Sequence, residues 1–409
     1  MDKLKAIVLG GTIPHIELIK NLQKRGYYTI LVDYYQNPPA KSYADEHIIE
    51  STLDQDVVLE IAQKLDVQLV ISTCVDQANV TACYVAEKLG LPAPYSYEAA
   101  LNVTNKGLMK KKMVEYAIPT SKYFCISNKN ELENLCLEFP VVVKPSDSTG
   151  SKGVKKANNF SELYNYFREA LGISRNNNVI IEEFQEGIEV QVDFFIQNKE
   201  PNIVMTRQKS KISLEFDSVL QSTGSIIPAD LSQAAKDSFL EIANNIANAF
   251  NLKNTSLFIQ AIVNGDDINV LEFAPRIGGG LSYRLIKLIT GFDILDATVD
   301  SYLNIPIDVL SKQPKFYYST NIIYAFPGKF DSIQGYQELI DRNIIEEFYI
   351  FKTKGMEIGS EMASRDRVGA FLLKANKKAD LHSKMLEAID EMEVYDSNGD
   401  PIMRHDIFI

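Results

Sequence analysis

Tryptophan is absent from the 409 residues, and there are only four cysteines. Cys74, Cys83, Cys125 and Cys136 make no C-x-x-C pair, so neither a disulfide framework nor a thiol-ligated metal is indicated, and they read as buried, reduced thiols. Histidine is as sparse. His15, His47, His382 and His405 show no ligand spacing, which speaks against a histidine-rich zinc site. No apolar run approaches the ~18 residues that a membrane span needs. The short run Ala6–Leu9 has no small-residue cleavage pattern behind it and reads as a first strand, not a targeting segment. A cytoplasmic protein without a membrane partner is the expectation. Positive charge is also in deficit, with 42 Lys and Arg against 54 Asp and Glu and a net charge of -12. A nucleic-acid partner, which requires a basic face to displace counterions, is therefore not expected. Neither a Ser–His–Asp nor a Cys–His signature is present, so nothing points to a dedicated nucleophilic side chain.

What is there is an ordinary globular composition, 45% hydrophobic and 23% charged, at a length that suggests two or three domains. The first ~95 residues alternate strand and helix. The strands Ala6–Leu9, Tyr28–Val32 and Leu69–Ile71 are separated by helical spacings, and Gly90 is placed to stop the last helix. Such βα alternation implies a parallel sheet covered by helices. Pro92 and Pro94 punctuate a boundary, and Asn105–Tyr116 reads as a helix ended at Ile118-Pro119-Thr120. Residues 121–184 form a small α+β unit with strands Val141–Lys144 and Val179–Ile181. Residues 234–250 make an amphipathic helix through Phe239, Ile242, Ile246 and Phe250. The runs Leu257–Val263 and Ile268–Phe273 flank Asn264-Gly265, a strong hairpin signal. From residue 311 onward a further α+β piece follows, with the strand Val368–Leu373 and the helix Leu381–Met392.

Three clusters carry chemistry. In the first, the β-branched strand Val141-Val142-Val143 ends on Lys144 and runs into a small-residue loop, Ser148-Thr149-Gly150-Ser151-Lys152-Gly153. Small residues let backbone N–H groups close over phosphate oxygens, and a fixed lysine supplies charge. The loop is not a Walker P-loop. Gly10-Gly11-Thr12 lacks the remaining glycines of a dinucleotide fingerprint, and a tight strand-to-helix turn is the favoured reading.

In the second cluster, Gln260 and Glu272 lie on the two hairpin strands, where alternation can bring both to one face. Two oxygen ligands at a cleft suit Mg²⁺. Arg276 follows beside Gly278-Gly279-Gly280 and could hold a developing acyl phosphate, or else form a simple ion pair with Glu272. The third cluster, Glu182-Glu183-Phe184-Gln185 with Glu189, is an apolar strand running into acidic residues. Arg207, Lys209 and Lys211 read as a solvated basic face, with phosphate or substrate contact as the sharper alternative.

The order of these clusters resembles the ATP-grasp superfamily over roughly residues 1–395, most closely its carboxylate–amine ligase branch, with features of L-amino-acid ligases, carbamoyl-phosphate synthetase and the purine-synthesis members. The resemblance implies an α/β and α+β architecture. Residues 1–95 would form a Rossmann-like parallel βαβ domain, and residues 96–310 an ATP-grasp domain with a lid at about 121–184 and a larger antiparallel-sheet half. Residues 311–409 would form an α+β segment completing the substrate half.

The resemblance further implies ATP and Mg²⁺ as cofactors, with Mn²⁺ as a substitute. Lys106 and Lys144 would contact the phosphates, and Ser148, Thr149, Gly150, Ser151 and Gly153 would form the lid loop. Glu182, Glu183, Phe184 and Gln185 would hold adenine, and Glu189 the ribose. Gln260 and Glu272 would bind metal, and Arg276, with Lys144, would serve catalysis. Gln260 departs from the glutamate of many members, and Ala274 stands where an asparagine is usual, which puts a two-metal arrangement in question. The implied activity is ADP-forming joining of a small carboxylate, expected to be amino-acid-like, to an amine. Bicarbonate- or purine-pathway substrates, or a non-catalytic nucleotide-binding regulator, are the alternatives left open. A homodimer is a family-based expectation.

Overall fold

The structure, a computed structural model, describes residues 3–148, 152–211, 221–360, 362 and 364–408. The chain begins with β1 (Lys5–Leu9), α1 (Ile13–Lys24), β2 (Tyr28–Val32), β3 (Glu46–Ile48), α2 (Gln55–Leu65), β4 (Leu69–Ile71) and α3 (Asp76–Leu89). These strands make a parallel sheet in the order β3-β2-β1-β4. Ile7, Leu9, Ile30, Val32 and Val70 bury one face, and Ala6, Val8, Leu31, Leu69 and Ile71 the other. Both faces are apolar because helices cover both. Gly90 caps α3 at φ 65, the left-handed conformation that glycine adopts freely.

Helices α4 (Tyr97–Thr104) and α5 (Lys106–Glu115) lead into a second sheet. It is built from β5 (Tyr123–Ile126), α6 (Lys129–Glu133), β6 (Val141–Pro145), β7 (Lys155–Ala157), α7 (Phe160–Ile173) and β8 (Val179–Glu183). The sheet is antiparallel, in the order β5-β8-β6-β7. Its apolar face packs on Leu163, Phe167 and Ala170 of α7.

The remaining elements are β9 (Ile188–Gln197), β10 (Glu200–Lys211), β11 (Ser222–Ile227), α8 (Gln233–Ala249), β12 (Thr255–Asn264), β13 (Asp267–Ala274), α9 (Ser282–Thr290) and α10 (Ile294–Tyr302), then β14 (Tyr317–Ile323), β15 (Gly328–Gln334), α11 (Tyr336–Asp341), β16 (Glu347–Ile350), β17 (Glu357–Ile358), β18 (Gly369–Ala375), α12 (Asp380–Glu391) and β19 (Glu393–Asp396). Eight strands form one sheet in the order β13-β12-β9-β10-β11-β14-β18-β16, so the C-terminal strands extend the sheet begun by β9. Strand alternation decides what this sheet can do. Val190, Val192, Phe194 and Ile196 point into the core covered by Phe239, Ile242 and Ile246 of α8. Gln191 and Asp193, on the opposite face, are buried as polar groups.

The hairpin at Asn264-Gly265 forms as its sequence indicates, with Asn264 opposite Asp267 and Gly265 at φ 62. Strands β10 and β11 carry no comparable signal.

Candidate active site

Asn105 caps α5: its side chain accepts from the Gly107 and Leu108 amides at 2.9 and 3.1 Å. This fixes Lys106 at the first helical position, with Lys110 one turn further on the same side. The Lys106 amide donates to Ser146 O at 3.1 Å and its ammonium to Ser148 O at 2.7 Å. The same ammonium lies 3.7 Å from Glu272 Oε2. Helix α5, the loop after β6 and the end of β13 thus converge on one point.

Beside it, two lysines share one carboxylate. Lys144 Nζ donates to Glu182 Oε1 at 2.5 Å, and Lys110 Nζ lies 2.9 Å from Glu182 Oε2 and 2.5 Å from Thr120 Oγ1. All three charged groups are buried. Burial alone would raise the Glu182 carboxyl, but the charges of Lys144 and then Lys110 outweigh it and hold the group at about 2. Burial lowers the Lys110 ammonium from its ordinary value, with Glu182 and Glu272 acting against that and Lys144 with it. Two ammoniums to one carboxylate leave an excess of positive charge beside Glu272.

Gln260 and Glu272 stand directly opposite each other across β12 and β13, and Gln260 stands opposite Gln191 of β9, itself opposite Arg207 of β10. The side chains of this row are linked. Arg207 donates to Asp193 Oδ2 at 2.6 Å through Nη2, and to Ser282 Oγ at 2.8 Å. Gln191 Nε2 donates to Asp193 Oδ1 at 2.8 Å, and Gln260 Nε2 donates to Gln191 Oε1 at 3.2 Å. The Gln260 amide nitrogen is therefore occupied while its Oε1 accepts no hydrogen bond among the described residues. With the half-exposed Glu272 carboxylate this is an all-oxygen donor pair, the chemistry that a hard divalent cation takes.

Arg276 is held from a distance in sequence. Its Nε and Nη2 meet Asp76 Oδ1 and Oδ2 at 2.5 and 2.6 Å, Nη1 donates to Ile277 O at 2.9 Å, and the guanidinium lies 5.0 Å over the Phe258 ring. Burial works against the charge of both partners, but their mutual attraction outweighs it, raising Arg276 and lowering Asp76. The alternative of a simple Glu272–Arg276 pair is thus corrected: Arg276 pairs with Asp76 of the parallel-sheet unit, and Glu272 faces Lys106.

Glu183 lies 3.7 Å from Lys122, Phe184 under the Lys156 ammonium at 4.5 Å, and Gln185 accepts from Asn269 at 3.3 Å. Glu189 pairs with Lys211 at 3.1 Å. Gly153 has φ 74, and a Cβ there would come within 2.7 Å of Ile173 Cδ1, so the site needs glycine. Ser148 is half-buried, whereas Thr149, Gly150 and Ser151 lie outside the described residues.

Two further expectations are corrected. Arg207 and Lys209 do not belong to a solvated basic face, because alternation on β10 puts them on the sheet face that Gln191 shares: Arg207 is buried against Asp193 and Lys209 is half-buried, whereas Lys211, at the end of the strand, is exposed as expected. Burial first, then Arg207, lowers Lys209 to about 8 against the pull of Glu189, with Arg367 also nearby. Arg367 Nε donates to Tyr324 OH at 3.0 Å. All four cysteines are free thiols, but Cys125, on the edge strand β5, and Cys136, in the loop between α6 and β6, are exposed. Gly10-Gly11-Thr12 does form a tight turn: the Asp33 carboxylate accepts from the Gly11 and Tyr35 amides at 2.7 and 2.8 Å and is consumed in doing so.

Sequence reasoning missed Lys110, Gln191, Asp193 and Asp76. Lys110 had a usable signal, its four-residue offset from Lys106, but the run Lys110-Lys111-Lys112 disguised it as a wet helix face. The other three act through strand register and docking, which leave no local trace.

Part of the chain is similar to the ATP-grasp domain. Residues 137–284 match the ATP-grasp domain family. Over 281 residues, 67% of this chain and 70% of the relative, the sequence is 25% identical to a formate-dependent phosphoribosylglycinamide formyltransferase from Methanocaldococcus jannaschii. The fold is similar to that of an L-amino acid ligase from Bacillus licheniformis, with a TM-score of 0.80 at 17% identity over 97% of this chain and 100% of that one. It is likewise similar to a phosphoribosylglycinamide synthetase from Anaerococcus prevotii, with a TM-score of 0.73 at 21% identity over 97% and 100% of the two chains. Among the described residues, no helix is long and apolar enough to cross a membrane.

Proposed function

We infer that this chain is an ADP-forming ATP-grasp ligase that activates a small carboxylate as an acyl phosphate and transfers the acyl group to an amine. The observation that carries the reading is the convergence of Lys106, Ser148 O and Glu272, with the Lys106 ammonium 2.7 Å from Ser148 O and 3.7 Å from the Glu272 carboxylate. Lys106 and Lys144 are the charges for the triphosphate, and the excess positive charge of the Lys110–Glu182–Lys144 group suits its β- and γ-phosphates. Mg²⁺, when bound, would be held by Glu272 and Gln260 Oε1 and would screen the phosphate charge. The hinge residues Glu183, Phe184 and Gln185 would flank adenine, largely through backbone groups, because the Glu182 carboxylate is already engaged by two lysines. Glu189 would meet the ribose.

Arg276, steadied by Asp76, would stabilise the acyl phosphate. The substrate carboxylate attacks the γ-phosphorus, ADP leaves, and the amine then displaces phosphate. Positioning and electrostatics carry both steps. Lys209, half-buried and without a hydrogen-bonded carboxylate among the described residues, together with Arg367, would hold an anionic group of a substrate.

A second reading concerns the substrates. The sequence relatives act, by name, on formate and phosphoribosylglycinamide, which favours a one-carbon acid and a phosphorylated amine over an amino-acid pair. Phosphate release from ATP, measured with formate, bicarbonate and amino acids, each alone and with phosphoribosylglycinamide or an amino acid as acceptor, separates the two. Glu272→Ala and Lys144→Ala should each remove most of the release. Wild-type rates in either variant would end the ligase reading.

A further inference from the structure

The row of linked side chains on the central sheet has a direction. A guanidinium only donates and a carboxylate only accepts. Arg207, buried beside Asp193 with contacts at 2.6 and 3.2 Å to Oδ2, fixes one end of the row. Asp193 can meet Gln191 only by accepting, so Gln191 turns its Nε2 toward Oδ1, at 2.8 Å. The Gln191 oxygen then faces the next strand and accepts from Gln260 Nε2 at 3.2 Å. Each amide hands its orientation to the next, and the last atom of the row is Gln260 Oε1. A neutral glutamine beside Glu272 could present either nitrogen or oxygen to a cation, and the buried ion pair removes that choice.

The space around the row is closed to larger side chains. A Cβ on Gly278 would lie 2.6 Å from Gln191 Nε2 and 2.9 Å from Ser282 Oγ. Ser282 Oγ donates to Gly279 O at 2.9 Å while accepting from Arg207, which anchors the same end of the row. Gln191 and Asp193 are buried, so water does not compete for their amide and carboxylate groups.

The geometry points to Asp193 as a positioning residue that sets the polarity of the Gln191–Gln260 relay, so that Gln260 serves as an oxygen ligand for a divalent cation. This rests on the proposed metal role of Gln260 and Glu272. Asp193→Asn tests it, because the relay should then reverse. Arg207 still requires an oxygen from residue 193, which turns the asparagine nitrogen to Gln191. Gln191 then offers its own nitrogen to Gln260 Oε1, and the Gln260 nitrogen faces the cation.

The measurement is Mn²⁺ binding by electron paramagnetic resonance on the full chain, with a non-hydrolysable ATP analogue present. Asp193→Asn should weaken Mn²⁺ binding by ~10–100-fold, the usual cost of losing an outer partner of a metal ligand. In a Gln260→Glu background both side-chain ends are oxygen, so Asp193→Asn should leave Mn²⁺ affinity unchanged. Gln191→Leu breaks the relay without unpairing Arg207 and should weaken Mn²⁺ as well, which keeps the test open if Asp193→Asn does not fold. Full affinity in Asp193→Asn or Gln191→Leu, with affinity lost in Glu272→Ala, would overturn the relay and leave the metal site standing. Equal weakening by Asp193→Asn in the wild-type and Gln260→Glu backgrounds would also overturn it, as a merely structural effect. Nucleotide-dependent Mn²⁺ binding that ignores Glu272→Ala would overturn the metal site itself, and the relay with it.

Discussion

Lys144 reaches Glu182 at 2.5 Å inside the protein, yet it does not own that carboxylate, because Lys110 occupies the other oxygen at 2.9 Å. The consequence is a lysine whose charge is only partly neutralised and is available to a phosphate. Lys110→Met should upset both sides of this balance. Removing one member of a buried ion group typically costs about 3 kcal/mol or more, which a denaturant melt would register. Glu182 would then neutralise Lys144 alone, and affinity for ATP, measured by calorimetry, should fall. A variant of undiminished ATP affinity would show that Lys110 is structural only.

His15 gives a pH dependence of known sign. It is fully buried, with Thr12 Oγ1 2.9 Å from Nδ1, and burial lowers it from 6.5 to about 4. The unfolded chain therefore binds a proton between pH 6.5 and 4 that the folded chain refuses. Stability is lost as pH falls through that window, by about 3 kcal/mol for a shift of this size at roughly 1.4 kcal/mol per unit. The depressed Glu182 contributes in the same direction, but only below its unfolded value of 4.5. Urea melts from pH 7 to 5 should show the His15 slope, and His15→Gln should flatten it. An unchanged slope would reassign the effect.

Lys209 titrates in a range open to kinetics. Burial and the Arg207 charge bring it down to about 8, so its positive charge is present below that pH and lost above it. The KM of an anionic substrate held there should rise as pH passes upward through 8. Lys209→Met should raise KM at neutral pH and abolish this limb, whereas Lys211→Met, which breaks the pair with Glu189 at 3.1 Å, should keep it. A limb that survives in Lys209→Met belongs to another group.

The legible and illegible parts of the chain differ for physical reasons. Strands β1, β2 and β4, the α8 face, and the Asn264-Gly265 turn announce themselves because each is decided by neighbouring residues: an apolar run, a helical spacing, a left-handed turn. Lys144 could be singled out because it closes a β-branched strand and Glu272 because the hairpin turns it to the same face as Gln260, whereas Lys106 was marked only by the family resemblance. Strand β10 was opaque, since its Arg207-Gln208-Lys209-Ser210-Lys211 end alternates polar with polar and its facing strand β9 decides which side chains are buried. The partners that give site residues their character, Asp193 for Gln260 and Lys110 for Lys144, lie across strands or beneath a lysine run. They become visible only when register is known.

Asp76 and Arg276 show the same limit at its widest, being 200 residues apart and joined by two short contacts across two units of the fold. Asp76 opens α3 of the parallel-sheet unit, and Arg276 follows β13 of the central sheet. Since three donor contacts and the Phe258 ring already direct the guanidinium, its remaining N–H groups point where Asp76 allows. Asp76→Asn keeps the shape but halves the charge complement of the pair. Stability should drop by about 2 kcal/mol, less than for a fully buried pair because both side chains retain some exposure. On the proposed mechanism turnover should fall by an order of magnitude or more while ATP affinity holds, since the lysines proposed to hold ATP lie elsewhere and Arg276 is proposed to act on the acyl phosphate. Asp76→Glu, which restores the charge at a longer reach, should recover part of the rate. Loss of ATP affinity in step with turnover would instead make the pair a scaffold of the nucleotide site.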